Sequence, residues 1–135
     1  MYLLVWIAFA QILIIVFPVL GKPNTYYLHA AVGVIVVIVA MIAYSMTKRS
    51  ACPQRIKRIS KTTAFLAVFQ GVLGLALLAG LMMHLGTIFR DVILFLHVVN
   101  ALAIITQASS SATAYDMWEE KEFETGKSSL PATGN

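Results

Sequence analysis

The sequence predicts an all-α integral membrane protein: a four-helix, up-down-up-down bundle with both termini cytoplasmic. Three observations lead there. The 135 residues are 59% hydrophobic and only 12% charged, with a mean hydropathy of +0.82, whereas a soluble domain carries roughly 25% charged residues. Four apolar runs approach the roughly 20 residues that cross a hydrocarbon core of about 30 Å. The basic residues are concentrated between the second and third runs, where Lys48, Arg49, Arg55, Lys57, Arg58 and Lys61 fall within a short stretch. Short loops rich in Lys and Arg stay in the cytoplasm.

The first span runs from Met1 to about Leu20 and ends at the breaker Pro18-Val19-Leu20-Gly21-Lys22-Pro23-Asn24. With no basic start and no small-residue cleavage site, it reads as a retained helix rather than a signal peptide. The second span covers about Tyr26–Met46, followed by the basic loop from Thr47 to Lys61. The third covers about Thr63–Leu85 and the fourth about Ile88–Ala114, with Gly86-Thr87 making a tight hairpin between them. Residues 1–115 are then the membrane bundle and 116–135 a polar cytoplasmic tail. Tyr115 and Trp118 mark the inner interface, where aromatic belts sit, and the Gly/Ser/Pro-rich end is expected to be disordered. Leu130-Pro131-Ala132-Thr133-Gly134 matches the sortase pattern. Only Asn135 follows it, where a sorting signal would continue into a hydrophobic segment, so it reads as chance or an added tag.

The chemistry of this chain rests on three imidazoles. His29 opens span two, His84 ends span three, and His97 lies about two turns into span four, all in the outer half of the predicted bundle. Ionisable side chains within a membrane usually mark a function or a partner. In an up-down bundle the second and fourth helices are diagonal, and cofactor sites are built between facing helices. The diagonal gives the room that two imidazoles on one iron require. His29 and His97 are therefore the natural axial pair for a b-type haem, with His84 in reserve. The bland alternatives stay open. His29 can be an interfacial residue beside Tyr26-Tyr27, and His84 a surface residue or a partner to another ligand. His97 is deeper, where an unpaired polar group costs more.

A flat macrocycle also needs small neighbours. Gly33 follows His29 by one turn, and span three carries Gln70-Gly71-Val72-Leu73-Gly74; such residues admit a ring or another helix closely. Arg90 suits a haem propionate, or alternatively pairs with Asp91 or snorkels to the interface. Asn100, one turn past His97, can orient a partner across the bundle. Gln11, Gln70, Gln107 and Ser109-Ser110-Ser111 are candidates for hydrogen bonds between helices.

Other function classes lose ground. The clustered cations serve topology rather than nucleic-acid binding. Asp91, close to the outer end of span four, is the one acidic residue within a span, and none lies deep in the membrane as a proton or cation pump would show. There is no nucleotide loop and no His-Glu-x-x-His motif. The lone Cys52 permits neither an intramolecular disulfide nor a multi-cysteine metal site. Met82-Met83 beside His84 can bind a soft metal such as Cu(I), though membrane-core methionine is the commoner explanation.

Three stretches carry a family resemblance: Leu28-His29-Ala30-Ala31, Gln70-Gly71-Val72-Leu73-Gly74 and Leu96-His97-Val98-Val99-Asn100-Ala101. With them the chain resembles one four-helix half of the heme A synthase family, whose second and fourth helices carry haem-binding histidines near the outer face. The resemblance implies haem binding at His29 and His97. Thr25-Tyr26-Tyr27 stand where that family has a glutamate, and the outer-loop cysteines of many members have no counterpart. Haem binding therefore carries over better than oxidative catalysis. The expected function is a membrane b-type cytochrome, an electron-transfer protein or subunit of a respiratory complex in the cell membrane. The alternatives are a haem-modifying enzyme and a cofactor-free accessory subunit. The expected partners are the lipid bilayer, further membrane subunits or a second copy, and a quinone.

Overall fold

A computed structural model describes residues 1–17 and 21–128, all of it helix and short connections. Four helices follow in chain order: α1 (Tyr2–Val16), α2 (Lys22–Arg49), α3 (Gln54–Met82) and α4 (Thr87–Ser128). Three of them, α2, α3 and α4, are long and apolar enough to cross a membrane. Apolar stretches of this length are stable as helices only in lipid or in a large core. Large side chains such as Trp6, Phe65, Leu75 and Phe95 point outward, which identifies the exposed surface as a lipid-facing one. The chain is a membrane protein.

Several helix bounds differ from the expected ones. α1 has 15 residues, about 22 Å at 1.5 Å per residue, and is shorter than the expected first span. Pro18, Val19 and Leu20 lie outside the described residues. The basic stretch is mostly not a loop. Lys48 and Arg49 form the last turn of α2, and α3 resumes at Gln54, so only Ser50–Pro53 connect them. Cations at the end of α2 meet the negative end of its dipole, and Lys and Arg propagate helix well. α4 has 42 residues, about 63 Å by the same rise. It continues past Asp116 into the polar tail, as far as Ser128. Glu, Lys and Met are strong helix formers that extend a helix already nucleated in the membrane. The LPATG stretch lies outside the described residues.

Each helix packs on its sequence neighbours, and α1 closes the set by packing on α4. Hydrogen bonds and close contacts fix which levels meet. Tyr2 donates from its hydroxyl to Asp116 on α4. Ser60 on α3 reaches Thr47 on α2 at 3.4 Å, while Gly71 faces Val37. Asn100 on α4 meets Leu66 and Gln70 on α3, and Gly80 meets Phe89. The bundle thus has a basic end, holding the α2–α3 connection, Tyr2 and Asp116, and a histidine end, holding the α3–α4 turn. The core joins Leu4, Ala8, Val36, Ala40, Ala67, Ile104 and Ala108 from all four helices and lies from the middle toward the basic end.

Two backbone positions shape the histidine end. Gly21 precedes α2 at φ 78°, a conformation glycine adopts without a Cβ clash, and its carbonyl accepts from Thr25 Oγ1 at 2.8 Å. His84 takes φ 51° directly after α3, the left-handed position that closes a helix. The Leu85 amide then reaches back to the Gly80 carbonyl at 2.9 Å.

Candidate functional site

His29 stands two turns into α2 and His97 in the third turn of α4, on helices whose backbones do not touch each other among the described residues. Their imidazoles nevertheless meet across the bundle, with ring centres 6.2 Å apart and planes inclined by 52°. Both rings are half-buried.

His29 is anchored from α1. Its Nδ1 lies 3.2 Å from the Gln11 carbonyl oxygen, and Gln11 Nε2 donates to the His29 carbonyl at 3.0 Å. The two residues form a reciprocal clasp of backbone carbonyls and side-chain nitrogens. A neutral imidazole that donates from Nδ1 keeps its lone pair on Nε2. His97 has no such support. Its Nδ1 is buried without a hydrogen-bond partner, as is Oε1 of Gln11. A buried polar atom with no partner is costly, and two of them at one level of the bundle mark a place that suits a ligand or water.

The glycines divide by role. A Cβ on Gly74 would lie 3.6 Å from His97 Cε1, so Gly74 faces the imidazole directly. A Cβ on Gly33 would lie 3.5 Å from Gln11 Nε2, so Gly33 borders the clasp. Gly71 faces Val37 of α2 and serves helix packing. Asn100 is buried and donates from Nδ2 to the Leu66 carbonyl at 2.9 Å and to Gln70 Oε1 at 2.8 Å. It ties α4 to α3 one turn from His97.

Arg90 and His84 lie apart from this pair, toward the α3–α4 turn. Arg90 Nη2 is 2.9 Å from Asp91 Oδ1 and the pair is largely exposed. With His84, Gly80, Thr87 and Leu94, Arg90 lines a cavity of about 500 Å³. No group of three or more His, Cys, Asp or Glu side chains forms a metal site among the described residues.

Two imidazoles holding one metal at about 2 Å each put their ring centres roughly 6 Å apart, since each ring adds about 1 Å between nitrogen and centre. The observed 6.2 Å matches. The tilt is compatible too, because each imidazole plane can rotate about its own metal–nitrogen axis. A metal-bound histidine usually donates its other ring nitrogen to a carbonyl or carboxylate, as His29 does to Gln11. The spacing of the two rings is that of a bis-imidazole haem.

Sequence reasoning gave Gln11 a hydrogen bond between helices, which it makes, but did not place that bond at the imidazoles. The signal was present: Gln11 is the one amide or charged side chain in the otherwise apolar α1. Set against known proteins, the chain matches no family model, no curated protein and no solved structure.

Proposed function

We propose that this protein is a membrane b-type cytochrome that carries electrons, with His29 and His97 as the two axial ligands of one haem b. The observation that carries this reading is the meeting of two imidazoles at 6.2 Å from helices that otherwise stay apart. When bound there, haem b supplies one-electron chemistry. Two imidazoles leave the iron no open position, which favours electron transfer over oxygen chemistry. The chain's own residues hold the group in place: Gln11 anchors His29, Gly74 leaves space beside His97, and Arg90 stands at the same end for the propionates. Haem modification of the heme A synthase kind would need an open or second site.

The topology belongs to the same reading. All four helices span the cell membrane up-down-up-down, with both termini and the basic end in the cytoplasm. The paired levels of neighbouring helices and the six cations around the α2–α3 connection support this arrangement. Cys52 is buried, so topology is best read from introduced cysteines. In a Cys52→Ser background, a membrane-impermeant maleimide should label Gly86→Cys and not Arg58→Cys in intact cells. The reverse pattern overturns the orientation.

A haem near one face needs an electron donor and acceptor in the same membrane: further subunits, a second copy, or a lipid-soluble quinone. The deciding experiment is the absorption spectrum of the purified full chain, oxidised and dithionite-reduced, with metal analysis. Low-spin b-type bands support the reading. A colourless protein sinks it in favour of an accessory subunit, and a colourless protein whose copper is lost in His29→Ala and His97→Ala assigns the imidazole pair to a bare metal ion.

A further inference from the structure

The imidazole pair is asymmetric. His29 is clasped by α1, whereas His97 has a buried Nδ1 with no partner. The clasp runs through the short helix, which contributes neither of the paired histidines. Gln11 donates from its side chain to the backbone of His29, and that bond sets the level of α1 against α2. At that level the Gln11 carbonyl is presented to His29 Nδ1 at 3.2 Å. Gly33 of α2 lies beside the Gln11 side chain in the adjoining turn. A Cβ there would meet Gln11 Nε2 at an ordinary 3.5 Å. An amide in an apolar helix leaves Oε1 buried and unpartnered, which is unfavourable unless the donor end has a function. Side-chain hydrogen bonds of this kind between membrane helices are individually weak, but the bond from the ring to the Gln11 carbonyl can be made by the Nδ1–H tautomer alone.

We infer that Gln11 is a positioning residue: from α1 it fixes His29 in one orientation and as the Nδ1–H tautomer, which makes Nε2 the nitrogen available to a ligand. The choice of tautomer is a property of the folded chain and stands whether or not haem is the ligand. Its consequence for redox tuning rests on the haem reading. An axial imidazole that donates to a carbonyl is a more basic ligand, and a more basic ligand favours ferric iron. The clasp therefore lowers the reduction potential.

The test uses the full chain labelled with ¹⁵N-histidine, made haem-free in a haem-deficient host and held in detergent at about pH 9, where imidazoles are neutral. Nitrogen–proton correlation spectra read the tautomer of each ring, and the His29→Asn protein assigns the signal. The wild-type chain should show His29 as Nδ1–H. In Gln11→Met, which keeps the length of the side chain and removes its donor, the His29 signal should become a mixture of tautomers. Gln11→Leu is a second variant should Met pack poorly. A wild-type His29 protonated on Nε2 overturns the inference, and so does an Nδ1–H signal that both variants leave unchanged. On haem-loaded protein, Gln11→Met should raise the midpoint potential, and an unchanged potential overturns the tuning. A wild-type chain that takes up no haem removes the cytochrome reading alone, because the tautomer is read without the cofactor.

Discussion

The two ends of the bundle are built on opposite principles. Toward the basic end the helices meet through alanines, with Ala40, Ala67, Ala108 and Ala112 almost fully buried. The hydroxyls there are mostly satisfied at home. Thr47 donates to the Ala43 carbonyl at 2.7 Å, Thr63 to the Ile59 carbonyl at 2.9 Å, and Ser50 to the Thr47 carbonyl at 2.8 Å. Ser111 is the exception, fully buried with no partner. At the histidine end, residues 81–92 are exposed throughout, glycines replace alanines, and two polar atoms at the imidazole level lack partners. Close packing of small residues is what holds membrane helices together, and most of the buried alanines lie toward the basic end. The lesson is a division of labour: one end fixes the bundle, and the other keeps space and unsatisfied polar groups where a ligand can use them.

Substitutions at the two ends should therefore separate binding from stability. The largest expected effect is at the imidazoles. His29→Ala or His97→Ala should abolish the low-spin haem spectrum or convert it to high spin. The unfolding midpoint of the haem-free protein should stay close to wild type, because His97→Ala also removes a buried atom with no partner. An intact low-spin spectrum in both variants would eliminate the pairing and return attention to His84.

Next in size come changes at the packed end. Leu4 is completely buried in the core, and Leu4→Ala should destabilise the bundle by about 2–5 kcal/mol through lost contacts and a cavity. Ala108→Leu should cost about 1–3 kcal/mol by overpacking. Both are readable by unfolding in mixed detergent micelles. Stability unaltered by either would mean that the core does not hold the helices together.

Asn100→Ala tests the border between the two ends. It leaves Gln70 Oε1 and the Leu66 carbonyl without their shared donor, and a loss of about 1 kcal/mol is expected. The haem spectrum should persist, since Asn100 bonds to α3 and not to His97; its disappearance would move Asn100 into the binding machinery. The smallest effect belongs to Gly74→Ala, whose new Cβ would meet His97 Cε1 at an ordinary 3.6 Å. That variant should keep its spectrum, whereas Gly74→Val should shift or lose it. Equal spectra for both would show that Gly74 does not border the bound group.

Much of this was legible before any coordinates. The apolar runs mark the long helices because lipid offers no water to an exposed backbone, and the six clustered cations locate one end of the bundle. His29 and His97 stood out as ionisable groups in an apolar chain. The helix ends were less legible. The expected Thr47–Lys61 loop shrank to Ser50–Pro53 and α4 ran on to Ser128, since charge marks where a chain leaves the membrane and not where its helix stops. Among the candidate residues, sequence could not tell Gly71, which packs on Val37, from Gly74, which faces His97. The two lie less than one turn apart and differ only in which neighbour each meets.

The sequence alone determined that this chain lives in a membrane as helices and that its few polar side chains are the places to look, because hydrocarbon penalises every unpaired polar group. Only the tertiary structure decided which of those groups meet. It placed His29 opposite His97 while leaving His84 in the turn, gave Asn100 to Gln70 rather than to an imidazole, and brought Gln11 of α1 onto His29. Such pairings depend on the rotation and level of each helix against its neighbours. Those are set by the shapes of small side chains packing across the bundle, which apolar patterning along one chain does not encode.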